Sequence, residues 1–262
     1  MTFARKQLCI PYAVFLILFV ILPLSVVLYY AFTNGEGQFT VDNFLSFFTN
    51  SRTTGTLIYS ILIALTTTLA CLLLAYPTAY ILARGPFSRG GVLLMVVVTP
   101  MWINFTLRVT ALKEILSVIE GNLAYYPFVN TIIGMTYDFL PFMILPIYMS
   151  ILKMDSQLLE AAADLGAPGW KIFWKVMLPL SMPGIISGVT MVFLPAMTNY
   201  VVLDMMYNST YIMGSLIGSY FSSYDWNNGS MISSILLFMI VLLSWISGRF
   251  GDSEGRKGGA SL

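Results

Sequence analysis

Six stretches of this sequence are apolar over the length of a bilayer crossing. They lie at residues 8–32, 56–83, 91–112, 128–152, 180–203 and 231–248. A spanning helix needs about 20 mostly apolar residues, and each run supplies them. Composition agrees: 58% of the residues are hydrophobic and only 10% are charged. A water-soluble domain carries about 25% charge, and this chain has too little to cover a surface. The sequence contains no histidine, which removes the commonest general base, metal ligand and physiological-pH switch. A net charge of +1 gives no electrostatic reason to bind nucleic acid. Cys9 and Cys71 each sit in an apolar run and form neither a metal-type pair nor a disulfide framework. The expectation is an all-α integral membrane protein, with one six-helix domain over 1–250. Residues 251–262, rich in Gly, Ser, Lys and Glu, read as a disordered tail. The first run is too long for a cleavable signal peptide, and it contains Pro11 and Pro23.

Six crossings put both termini on one side. Arg5 and Lys6 precede the first run, Arg84 and Arg89 follow the second, and Lys153, Lys171 and Lys175 follow the fourth. With Arg249, Arg256 and Lys257 in the tail, ten of the thirteen basic residues share that side. Arg52, Arg108 and Lys113 fall on the other. The positive-inside rule then puts both termini and the loop at 153–179 in the cytoplasm. The opposite loops carry Glu36, Asp42, Glu114, Glu120, Asp204 and Asp225. The outer loops near 33–55 and 204–230 have room for short interfacial or re-entrant pieces, and Tyr220, Phe221, Tyr224 and Trp226 suit an aromatic belt.

The 153–179 loop is patterned. Asp155 and Ser156 are good N-caps. Leu158, Ala162 and Leu165 make an apolar face, Glu160 and Asp164 an acidic stripe, and Gly166 a helix stop. A second helix follows Pro168, with Trp170, Phe173, Trp174 and Met177 on one face. Pro179 is expected to end it. Such a pair suits either lipid headgroups or a protein partner. The exposed alanines and the acidic stripe favour the partner, because anionic lipid repels acid.

Glu160-Ala161-Ala162, three residues, Gly166, nine residues, then Val176 and Leu178-Pro179 resembles the EAA loop of ABC importer permeases. Val176 stands where isoleucine is usual. The resemblance implies a six-helix type I importer permease in which the first short helix is a coupling helix. It implies that Glu160, Ala161, Ala162, Asp164 and Gly166 contact a separate ATPase. No G-x-x-x-x-G-K-[ST] phosphate loop occurs in the chain, so a nucleotide site must lie on another polypeptide. The stretches PMWINFTLRVTALK (100–113), IIGMTYDFLPFMILPIYMSILKMD (132–155) and LLEAAADLGAPGWKIFWKVMLPLSMPGIISGV (158–189) are further similar to B-type permease subunits of spermidine/putrescine importers. That likeness runs through about 56–205. It implies a subunit with no catalytic residue and no cofactor of its own, in the bacterial cytoplasmic membrane. The implied partners are an ABC ATPase homodimer holding ATP and Mg, a C-type companion permease and an extracytoplasmic polyamine-binding protein.

A passage for a flexible polycation calls for carboxylates, aromatic faces and amide oxygens. Asp138 lies about ten residues into the fourth run, roughly 15 Å deep and near the midplane. Acids at that depth are costly and mark function. Asp138 is expected either to meet substrate or to pair with a base or hydroxyl on the companion subunit. Asn199, Tyr200 and Asp204 form a second constellation, and Tyr200 and Asp204 share a helix face. Trp102 and Asn104 are expected near the middle of the third helix. Arg108 beyond them has a structural role, its charge balanced by Glu114 or by a partner. Tyr76 and Pro77 are weaker candidates, and Gly184 and Gly188 suit close helix packing. The rival readings are an ABC permease for ferric ion, thiamine or a phosphonate, an ion-driven carrier working alone, and a membrane enzyme.

Overall fold

A computed structural model of the chain describes residues 9–86 and 89–255. Arg5, Lys6, Arg256, Lys257 and the 256–262 part of the expected tail lie outside the described residues. In chain order the helices are α1 (Ile10–Ala31), α2 (Asp42–Thr49), α3 (Ser51–Arg84), α4 (Gly90–Trp102), α5 (Phe105–Glu120), α6 (Pro127–Leu152), α7 (Ser156–Asp164), α8 (Gly169–Ala196), α9 (Tyr200–Met205), α10 (Met213–Ser222) and α11 (Trp226–Gly255). Residues 251–255, expected in the tail, continue α11. Five helices are long and apolar enough to cross a membrane, and the bent pair α4–α5 makes six if it counts as one.

That bend corrects the third run. The pair turns by 97° at Ile103–Asn104 instead of running straight through 91–112. Pro100 sits in a 3₁₀ turn, and Ile103 and Asn104 are extended, with ψ of 145° and 129°. Asn104 Oδ1 then accepts from the Thr106 N–H at 2.9 Å and caps a new helix. Past this point Arg108, Lys113, Glu114 and Glu120 raise the polar content. A straight, fully lipid-clad span would have to hide those groups.

The fifth run is also corrected. Pro179 does not end a loop helix, and α8 runs unbroken from Gly169 to Ala196. A π turn at Phe173–Met177 lets the Leu178 N–H donate to Phe173 O, five residues back. The widened turn shifts the ladder where Pro179 has no N–H to give, so the helix continues. The same device stands in the first span: a π turn at Ile17–Ile21, Leu22 N–H to Ile17 O, then Pro23. The run expected to reach 203 stops at Ala196, after Pro195, and α9 begins afresh at Tyr200.

The described chain forms two compact units. The first combines residues up to Ile58 with Met213–Val241. Two asparagine amides finish α1 within it. Asn43 Nδ2 donates to Ala31 O and Thr33 O at 3.1 and 3.0 Å, and Asn227 Nδ2 donates to Tyr30 O and Thr33 O at 3.0 and 2.6 Å. These amides satisfy carbonyls that a helix end leaves open. α2 and α10 are the short pieces anticipated in the two long loops.

The second unit comprises Tyr59–Ile212 and the chain from Leu242 onward. Its core is α6, whose buried residues run from Asn130 to Ile151. α8 lies tight against it through the two anticipated glycines. A Cβ on Gly184 would stand 2.5 Å from Pro146 O, and one on Gly188 would stand 2.6 Å from Met143 Sδ. Gly134 does the same for α9, where a Cβ would meet Val202 Cγ1 and Met206 Cε at 2.9 Å.

Candidate functional site

α7 is built to be presented. Asp155 Oδ1 accepts from the Gln157 N–H at 2.9 Å and caps its start. At its end Gly166 takes φ +76°. Gly166 N–H donates to Ala163 O at 2.8 Å and Ala167 N–H to Ala162 O at 3.2 Å. This is the paired 5→2 and 6→1 closure for which glycine is favoured. The helix is complete in itself and buries none of its residues. Glu160, Ala161, Asp164 and Gly166 are exposed and Ala162 is partly so. Leu158 and Leu165 are also exposed, as are Trp170 and Trp174 at the start of α8.

The segment around α7 is held from below. Arg84, the last residue of α3, donates through Nη2 to Ile151 O at 3.3 Å and to Met154 O, just past the end of α6. Tyr76 hydrogen-bonds Ser181 Oγ at 3.0 Å, and its ring meets Phe173 edge-on with centroids 5.5 Å apart. A cleft of about 760 Å³, lined in part by Pro146, Ser150, Asp155, Leu158 and Gly184, opens between α6, α8 and the start of α7.

Deeper in the same unit Arg108 and Asp138 meet. Arg108 Nη2 donates to Asp138 Oδ1 at 2.6 Å, and both side chains are buried. This corrects the expected partners: Arg108 is balanced neither by Glu114 nor from outside the chain, and Asp138 has its base within the chain. Arg108 Nε is buried without a hydrogen-bond partner, so one corner of the guanidinium holds the pair.

The remaining candidates separate. Trp102 and Asn104 lie at the α4–α5 break, not in mid-helix. Trp102 is 87% exposed, while the Asn104 side chain is engaged as a cap. Asn199 precedes α9 without capping it through its side chain, and Tyr200 and Asp204 are exposed. No hydrogen bond or ion pair among the described residues joins these groups to Asp138.

Residues 75–252 match the family described as binding-protein-dependent transport system inner membrane component. The chain belongs to that family. Two relatives are named spermidine/putrescine transport system permease protein PotB. The one from Escherichia coli is 35% identical over 259 residues, covering 89% of this chain and 94% of the relative. The one from Haemophilus influenzae is 35% identical over 264 residues, covering 92% of each. Among solved structures, a bacterial alginate ABC transporter, in complex with alginate pentasaccharide-bound periplasmic protein, superposes with a TM-score of 0.67 at 14% identity. It covers 98% of this chain and 96% of that one. The MetNI methionine ABC transporter, in an inward-facing conformation, gives 0.57 at 16% identity, covering 78% and 98%. The fold is therefore that of a type I ABC importer permease, and the chain is a non-catalytic inner-membrane subunit.

Sequence reading missed two parts of this permease. The sequence marks Arg84 only as a topological charge, yet its guanidinium caps the end of α6 just ahead of α7. The Arg108–Asp138 pair had a signal. Two opposite charges deep in successive apolar runs are each expensive alone, and neighbouring runs joined by a short connection pack together.

Proposed function

We propose that this permease is the B-type subunit of an ATP-driven polyamine importer, forming half of the translocation pathway. The observation that carries the coupling role is α7: a capped helix that buries none of its residues, bearing Glu160, Ala161, Ala162 and Asp164 and closed by Gly166. Folded without burying itself, it offers its faces to another protein. We assign it to the groove of an ABC ATPase dimer, which holds the ATP and Mg. The polyamine assignment is supported by the spermidine/putrescine permeases of the two relatives, which align along nearly the whole chain.

Both termini and α7 then face the cytoplasm, as the basic residues favour. A C-type companion permease completes the passage, and an extracytoplasmic binding protein delivers the polyamine. ATP binding closes the ATPase dimer and moves α7, and rigid movement of the helices switches the open side. Trp102, Asn199, Tyr200 and Asp204 remain open to a ligand. Asp138 meets a substrate amine only when Arg108 gives way.

The test is reconstitution of the permease with its companion, ATPase and binding protein in proteoliposomes. Spermidine or putrescine uptake should require ATP, and Glu160→Lys or Gly166→Pro should abolish it while leaving the permease in the membrane. Normal uptake by both variants would refute the coupling role. Uptake indifferent to excess unlabelled polyamine would refute the substrate.

A further inference from the structure

Tyr207, in the connection between α9 and α10, has φ 55°. A bulky side chain seldom adopts that left-handed region, and residues held there concentrate at ligand sites. Its neighbours fix it. Met206 is fully buried. Asn208 is buried too, with Nδ2 donating to Tyr59 Oη at 2.9 Å and Thr131 Oγ1 at 3.1 Å, and its N–H to Leu203 O at 2.9 Å. Between these anchors the Tyr207 side chain points outward and is 58% exposed.

Lys113, on α5, places Nζ 4.5 Å from the centroid of the Tyr207 ring. Among the described residues Lys113 joins no ion pair with a carboxylate. An aromatic face thus holds a primary ammonium, on a ring that a constrained backbone keeps in place. Asp204 begins the turn that ends at this tyrosine, the Tyr207 N–H donating to Asp204 O at 3.3 Å, and its side chain is exposed. The lysine side chain is an aminobutyl group, which is also the terminal unit of an aliphatic polyamine.

We infer that the Tyr207 ring is a receiving site for a terminal ammonium of the transported polyamine, and that Lys113 is a resident stand-in which the substrate displaces. One ammonium replaces another, so the ring and its backbone need no rearrangement. Asp204 supplies a carboxylate in the same turn for a second amine. The inference rests on the polyamine reading above.

The test uses the complete reconstituted importer and initial rates of labelled spermidine uptake. Removing the competitor in Lys113→Met should lower KM about two- to fivefold, the range of an exposed cation–π contact. Tyr207→Leu should raise KM by a similar factor, and Tyr207→Phe, which keeps the aromatic face, should match wild type. A KM unchanged or raised in Lys113→Met overturns the inference, as does an unchanged KM in Tyr207→Leu. Lys113→Met decides alone if Tyr207→Leu does not assemble. Wild-type importer that takes up no polyamine would instead overturn the functional reading on which the inference rests.

Discussion

Arg108 Nη2 and Asp138 Oδ1 stand 2.6 Å apart, joining α5 beyond its bend to the middle of α6. The contact cancels two charges that neither helix could bury by itself, and it fixes where the bent segment lies on the core helix.

Asp138→Leu and Arg108→Met should each destabilise the permease by about 3–5 kcal/mol, because each strands one buried charge. The double variant Arg108→Met/Asp138→Leu should recover most of that loss. Unfolding midpoints of the detergent-solubilised protein measure the cycle, and additive single effects would show that the pair is not coupled.

Changes at the two ends of α7 should loosen ATPase binding without removing the permease from the membrane. Asp155→Ala loses a cap worth about 1 kcal/mol. Gly166→Val forces a branched side chain to φ +76°, at a cost of roughly 1–2 kcal/mol. Co-purification of the ATPase should fall in both, and more in the second. Undiminished co-purification would mean that the ordered ends of α7 do not matter for docking.

Gly184→Val should prevent α8 from seating on α6. Even a Cβ there meets the Pro146 carbonyl at 2.5 Å, and backbone cannot swing aside as a side chain can. Overpacking costs about 1–3 kcal/mol where side chains can move, and this site should exceed that. Gly218→Ala, with nothing near its Cβ, is the control. Equal membrane content and thermal stability in the two variants would contradict this packing.

Arg84→Met should free the carbonyls at the end of α6. Hydrogen bonds from a charged donor contribute about 1.5–3 kcal/mol. Faster hydrogen exchange over residues 149–156, with the middle of α6 unchanged, is the expected result. Unchanged exchange there would mean that Arg84 does not hold this end.

Much of this was legible in the sequence because it depends on local chemistry. The Asp155 cap, the Gly166 stop and the tight packing at Gly184 and Gly188 follow from residue type and spacing. The bend at Ile103–Asn104 was hidden because Pro100 and Asn104 sit in a stretch whose overall apolarity resembles one straight span. Only the cap geometry shows that a second helix starts there. Pro179 misled for the opposite reason, because a π turn upstream absorbs a missing donor and no residue pattern announces one. The Arg108–Asp138 pair and the place of Tyr207 against Lys113 depend on how separate helices pack, which periodicity within one run does not encode.

The unbroken run of α8 has a mechanical consequence. Its 28 residues extend about 40 Å at 1.5 Å per residue. Trp170 and Trp174 lie at the end nearest α7, and Gly188 and Val192 lie far along the span. A loop ending at Pro179 would have put a joint between these two ends. With the π turn in its place, the helix continues through Pro179, and the end beside α7 and the far end of the span belong to one uninterrupted helix.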